Sequence, residues 1–228
     1  FVMTGETRAA AEDRKSPLEA LRVARPLLRD LRYVVALAAT FVGWWTISGP
    51  AGTVGVVFAD EKLGFDAGQI GFGVTLLAVG EILDLFIAGR AADLKGRRAV
   101  LVPSLAAAAV ATALLGQIAD ASWAYYPLMV AIGASIAAGG AAAGGLLADS
   151  IPRSGSGAAV GVNQMAGDLG YLTAPTIIGS VAEKSSFGAA YLVGALPAAA
   201  VFLAALRLPG GRPAAPSIPP AEPQQPVA

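Results

Sequence analysis

The sequence is dominated by six long apolar stretches, which short polar segments separate. The stretches span about 33–58, 69–89, 99–119, 124–147, 157–180 and 187–207. Each is near the roughly 20 residues that an α-helix needs to cross a bilayer. They lack the polar side that a helix on a soluble protein turns to water. We therefore predict an all-α, polytopic membrane protein whose six transmembrane helices lie within residues 33–207.

Composition narrows the class of protein further. Only 14% of the residues are charged, against about 25% in ordinary soluble domains. Equal numbers of basic and acidic residues give no net charge, so we expect no nucleic-acid partner. The chain has no Cys and no His, which excludes Cys/His metal sites. Catalysis by a serine nucleophile such as Ser156 is also excluded where it would need a His base. We predict that the protein is not an enzyme and holds no metal or cofactor.

The basic residues indicate the orientation in the membrane. With six spans, both termini and the connections 90–98 and 148–156 share one side, which carries 14 of the 16 basic residues. The other side carries only Lys62 and Lys184. Because Lys and Arg concentrate in cytoplasmic loops, we predict a multi-pass protein of the plasma (inner) membrane with both termini in the cytoplasm.

The two ends of the chain differ from the apolar body. Residues 1–32 carry seven basic and five acidic residues and are predicted to form a cytoplasmic linker. Its alternating Leu and Arg residues fit either a basic helix on the membrane surface or a solvated linker. Residues 208–228 are rich in Pro and are predicted to form a disordered cytoplasmic tail.

Small residues predict how the helices pack. Ala and Gly are frequent in all six stretches, as in membrane helices whose backbones approach closely. Two G-x-x-x-G pairs, Gly140/Gly144 and Gly157/Gly161, are therefore expected to form close helix contacts.

The most specific motif follows the second apolar stretch. Residues 89–98 read Gly-Arg-Ala-Ala-Asp-Leu-Lys-Gly-Arg-Arg. Gly89 leaves room for another helix, and Gly96 permits a tight turn. Asp93 can meet the positive N-terminus of a neighbouring helix. The two final arginines can anchor the turn at the anionic cytoplasmic surface and pair with acids at helix ends.

This spacing resembles the signature loop of the major facilitator superfamily, which joins the second and third helices of each six-helix half. Ala148-Asp149-Ser150 looks like the end of that family's tenth helix, and Asp168-Leu169-Gly170 looks like part of its eleventh. The resemblance covers about 33–207. It implies the C-terminal half of a twelve-helix fold, with a missing N-terminal six-helix half as a partner. The conformational signature residues that it implies are Gly89, Asp93, Gly96, Arg97, Arg98 and Asp149.

Three acidic residues lie within apolar stretches: Glu81, Asp84 and Asp168. Ionisable residues inside a membrane are costly, so function is the first hypothesis for them. A carboxyl group without a basic partner in a low-dielectric environment favours its protonated form. All three acids are therefore candidates for proton coupling, and we expect Glu81 or Asp168 to carry the coupling proton. The alternative is that these acids hydrogen-bond across helices or pair with cations of the missing half. Asp84 and Asp149 are also expected to meet Arg90, Arg97 or Arg98 in a cytoplasmic charge cluster.

The resemblance implies that the first and fourth helices line a solute cavity. The candidate cavity residues on these helices are Thr40, Trp44, Trp45, Ser48 and Ser135. The two Trp side chains could stack against an apolar or ring-bearing ligand, and Gly49-Pro50 predicts a kink in the first helix. Few charges in this region predict a neutral or lipophilic solute.

These observations predict half of a secondary active transporter that moves a small solute by alternating access. We expect the transport to be coupled to protons and to export a neutral or lipophilic compound. Two alternatives are a non-transporting six-helix scaffold or receptor, and a half-size unit that acts only as a dimer.

Overall fold

The computed structural model describes residues 26–151 and 156–210, except for the side chain of Ser156, and all the regular structure in these ranges is helical. Six long helices follow one another in the described chain. They are α1 (Leu31–Glu61), α2 (Ala67–Lys95), α3 (Arg97–Leu115), α4 (Tyr125–Ser150), α5 (Ser156–Lys184) and α6 (Phe187–Ala205). Most of the predicted linker and of the predicted tail lies outside the described residues.

Five of these helices are long and apolar enough to cross a membrane. The remaining helix, α5, is 29 residues long but does not meet the same measure of apolarity in the described chain. Its middle carries Asn163, Gln164 and Asp168, which lower its hydropathy. Polar groups inside a membrane domain are tolerated where they face other helices or a cavity rather than lipid. The fold is that of an all-helical, polytopic membrane protein.

Helix α1 is not a regular α-helix along its whole length. Its α-helical parts, Leu31–Thr46 and Val54–Glu61, are joined by a π-helical segment, Ile47–Thr53, which contains Pro50. Proline has no backbone N–H to donate, so it disturbs the hydrogen bonds of the preceding turn. A π-helical segment is one way to keep a helix continuous past such a site. The structure therefore has a π-helical segment at the place where Gly49-Pro50 predicted a kink.

Helix α2 is longer than its apolar stretch. It begins at a capping box, in which Asp66 accepts from the backbone N–H of Gln69, and it ends only at Lys95. The connection to α3 is the single residue Gly96, whose φ of 95° favours glycine. The prediction of a connecting loop over 90–98 is wrong, because residues 90–95 include no helix breaker and continue α2. Charged residues end an apolar stretch, whereas Ala, Leu, Lys and Arg favour a continuing helix.

Each long helix packs against at least one other, and α3 also packs along α4. Helix α2 packs along α4, and α5 packs along α1. Helices α3 and α6 pack against each other, while α1 and α4 meet in the middle of the domain. Most of the surface of α2 is left exposed by these contacts.

Glycines set the closest helix approaches, but not the glycines that the sequence predicted. A Cβ atom at Gly80 or Gly133 would overlap backbone atoms of the opposite helix in the α2–α4 pair. A Cβ atom at Gly170 would likewise overlap the backbone of α1 at Phe41. The G-x-x-x-G expectation is wrong, because a Cβ at Gly140, Gly144, Gly157 or Gly161 would meet no described atom within 4 Å.

A cavity with one carboxylate as the candidate functional site

A partly open cavity of about 510 Å³ lies among the helices of this domain. Most of its lining comes from α1 and α4, with further residues from α2 and α3 and one from α5. Its walls are mainly alkyl groups and backbone, including Gly140 and Gly144, whose missing side chains widen it. Its size is within the range of about 300–1,000 Å³ that is usual for small-molecule pockets.

Glu81 is the one ionisable side chain among the described residues that line this cavity. It follows Gly80 at the crossing of α2 and α4, where a Cβ on Gly133 would lie 3.2 Å from the backbone nitrogen of Glu81. Its position on the cavity wall is therefore fixed by a close backbone contact. Within the described residues, its carboxylate has neither a hydrogen-bond nor an ion-pair partner.

Three of the five predicted cavity residues line the cavity: Thr40, Trp44 and Ser135. The indole of Trp44 is 42% exposed and makes an edge-to-face contact with Tyr171, with ring centroids 6.0 Å apart. A Cβ at Gly167 would overlap this indole, so Trp44 rests against the bare backbone of α5. The cavity therefore has an accessible aromatic side chain on α1.

The other two predicted cavity residues, Trp45 and Ser48, are buried in helix contacts instead. The indole N–H of Trp45 donates to the carbonyl of Gly194 at 3.0 Å. The hydroxyl of Ser48 donates to the carbonyl of Tyr171 at 2.9 Å. Consecutive helical residues point about 100° apart, and here Trp44 faces the cavity whereas Trp45 faces α6.

The other two intramembrane acids do not line the cavity. Asp168 is exposed on α5, where its carboxylate accepts from the side-chain amide of Gln164 at 3.0 Å. Asp84 lies three residues after Glu81, and in the described chain it forms no ion pair with Arg90, Arg97 or Arg98. The expectation that Asp84 belongs to the cytoplasmic charge cluster is wrong.

Asn163 is a cavity residue that the sequence reasoning missed. It is the only residue of α5 in the described lining, and its Oδ1 lies 2.9 Å from the hydroxyl of Thr40, which donates to it. The side chain therefore ties α5 to α1 at the cavity wall. A polar amide within an apolar stretch is the signal in the sequence that indicates this residue.

A charge cluster lies where the end of α2, the start of α3 and the end of α4 meet. The guanidinium of Arg97 donates to the carboxylate of Asp93, and its Nε lies 3.6 Å from Oδ2 of Asp149. A Cβ at Gly145 would overlap this guanidinium, so the bare backbone of α4 makes room for it. Arg97 thus joins the turn at Gly96 to the end of α4.

The remaining signature residues have different surroundings. Arg98 donates to the backbone carbonyl of Leu208 at 2.8 Å, which holds the segment after α6 against the turn. Leu208 itself is only 2% exposed. A Cβ at Gly89 would meet nothing within 4 Å, so the close helix contact expected there does not occur among the described helices. Among those residues there is also no group of three or more His, Cys, Asp or Glu suited to hold a metal ion.

A bundle of membrane-length helices around a partly open cavity is the architecture expected of a membrane transporter. The chain belongs to the Major Facilitator Superfamily, whose family model matches residues 21–228. No curated protein matches the chain. The resemblance that the signature loop indicated is thereby confirmed.

Proposed function

We propose that the protein is a secondary active transporter in which Glu81 carries a coupling proton during alternating access. The observation that supports this proposal is the unpaired carboxylate of Glu81 on the cavity wall. Unneutralised charge in a membrane interior is costly, so an unpaired carboxylate there favours binding a proton. A conformational change that turned the cavity from one side of the membrane to the other would carry that proton with it.

The solute that we propose is lipophilic, and the direction is export in exchange for protons. The cavity wall is largely alkyl and aromatic, with few polar groups, which suits a ligand of low polarity. A lipophilic compound crosses a bilayer unaided, so its uptake needs no carrier, whereas its removal against a gradient does. Location in the plasma membrane with cytoplasmic termini is part of this proposal.

We further propose that a second six-helix unit completes the cavity. Among the described helices, α2 exposes a row of large apolar side chains, including Ile82, Leu83 and Phe86. Gly89 leaves an unfilled space near the cytoplasmic end of the same helix. The second unit is either the N-terminal half that the family resemblance implies or another copy of this chain.

The test of proton coupling is the variant Glu81→Gln, which removes the charge and keeps the shape. The full protein would be placed in proteoliposomes with an acidic lumen, and uptake of ethidium and of chloramphenicol would be followed in separate assays. We expect an imposed pH gradient to accelerate uptake of at least one probe by the unmodified protein. Glu81→Gln should lose this acceleration.

The matched control for this test is Asp84→Asn, which neutralises another acid on α2 that does not line the cavity. It should retain gradient-driven uptake. Uptake by Glu81→Gln that still responds to the gradient would contradict the role of Glu81, as would an equal loss in Asp84→Asn.

A further inference from the structure

We propose that the solute of this cavity is a lipophilic cation, which binds the carboxylate of Glu81 in place of the proton. The proposal rests on the proposed transport function and narrows its substrate class. The broader expectation was a neutral or lipophilic solute, and the proposal specifies a lipophilic solute that carries a positive charge.

The charge of the cavity supports a cationic ligand. Glu81 supplies the only ionisable side chain among the described lining residues. No charged or titratable side chain of α1, α3, α4 or α5 in the described chain lines the cavity with it, and Asp84 on α2 lies outside the lining. An anionic ligand would be repelled by this carboxylate, and a zwitterion would leave its negative end unpaired. A monocation matches the single charge.

The hydrogen-bonding groups of the cavity do not suit a polyhydroxylated ligand. Ser104 donates to the carbonyl of Leu101 at 2.8 Å, and Ser135 donates to that of Ala131 at 2.6 Å. The hydroxyl proton of Thr40 goes to Asn163 or to the carbonyl of Ala36. Because these protons are bound within the protein, the wall offers few free donors to a sugar or similar solute.

The aromatic wall suits a cation as well as an apolar ring. The face of an indole attracts cations, and Trp44 is the exposed aromatic residue of this lining. Alkyl groups of Ile82, Leu85 and Ile136 provide apolar surface around it. A cation that carries aromatic or alkyl substituents would therefore contact a carboxylate, an aromatic ring and apolar walls in one cavity.

The proposal predicts competition between one proton and one cation. A carboxylate that holds a proton has no charge to offer, so a monocation binds Glu81 only when the proton has left. Each binding event releases one proton, and the reverse step takes one up. Exchange of one monocation for one proton moves no net charge across the membrane.

The experiment measures equilibrium binding of two probes to the full protein in detergent. Tetraphenylphosphonium is a permanent lipophilic cation, and triphenylphosphine oxide is a neutral compound with similar rings. We expect the cation to bind more weakly as the pH falls from 8 to 5. Glu81→Gln should weaken its binding by roughly 10- to 100-fold, as expected for loss of one charge-assisted contact, and should remove the pH dependence.

The neutral probe controls for the shape of the cavity. Its binding should be unchanged in Glu81→Gln, and Asp84→Asn should bind both probes as the unmodified protein does. The proposal is overturned if Glu81→Gln binds the cation with unchanged affinity, if both probes weaken equally, or if the unmodified protein binds only the neutral probe. Because these measurements involve no transport, they separate the substrate class from proton coupling, which the flux assay tests.

Discussion

At the scale of single residues, the surroundings of Arg97 place the strictest geometric requirements on any side chain of the signature loop. Its guanidinium contacts carboxylates on two helices and lies over the backbone of Gly145. A planar guanidinium can address two carboxylates through different N–H groups, whereas a Lys ammonium is a compact charge on a flexible stem. The contacts of Arg97 therefore depend on the geometry of its guanidinium as well as on its charge.

We expect Arg97→Lys to weaken the charge cluster around this residue, because the ammonium cannot keep both contacts. The loss should be modest, up to about 1 kcal/mol of unfolding free energy, since both carboxylates are partly exposed. Thermal unfolding of the purified protein would measure it. Arg90→Lys is the matched control, because Arg90 is exposed and has no ion pair in the described chain. Equal effects of the two substitutions would contradict the role given to Arg97.

The residues of the cavity show what residue-level reasoning can reach. The sequence identified Glu81, Asp84 and Asp168 as acids in apolar stretches, but it could not indicate which of them faces a cavity. Helix α2 is apolar on all sides, so its own pattern contains no information about the direction of Glu81. That direction follows from the contact with α4 at Gly80 and Gly133, which joins residues about 50 positions apart.

At the scale of helices, the crossing of α2 and α4 depends on glycine at position 133. We expect Gly133→Ala to destabilise the protein by about 1–3 kcal/mol, because its Cβ would overlap the backbone of α2 at Leu77. Gly140→Ala, on the same helix, should have little effect on stability, since a Cβ there meets no described atom within 4 Å. Unfolding curves of the two purified variants provide the comparison, and similar losses of stability in both would contradict the assignment of the close contact.

The helices also show which features of the fold can be predicted from the sequence. Apolar length predicted the number of long helices and their order, because the bilayer imposes a common length on each span. It misplaced the end of α2, where six further residues continue the helix beyond the apolar stretch. It also misassigned the close-packing glycines, because a local motif does not indicate which neighbouring helix lies opposite. The first error concerns helix-forming residues within one segment, whereas the second concerns contacts between segments.

At the scale of the whole molecule, the uneven distribution of basic residues predicts the orientation in the membrane. The chain has no Cys, so single cysteines can be labelled without background. We expect a membrane-impermeant maleimide to label Ser122→Cys in intact cells and Lys95→Cys only after permeabilisation. Both positions are exposed in the structure. Labelling of Lys95→Cys in intact cells would contradict the predicted orientation. The unmodified protein, which has no Cys, measures the background labelling.

The bond between Arg98 and Leu208 has a consequence for the order of events during biosynthesis. The two residues are 110 positions apart, and the acceptor carbonyl belongs to the segment after α6. A ribosome that adds roughly 5–20 residues per second makes the partner of Arg98 about 5 to 20 s after Arg98 itself. The start of α3 and the segment after α6 can therefore be joined by this hydrogen bond only after α6 has been synthesised, so nascent chains that stop earlier would lack it.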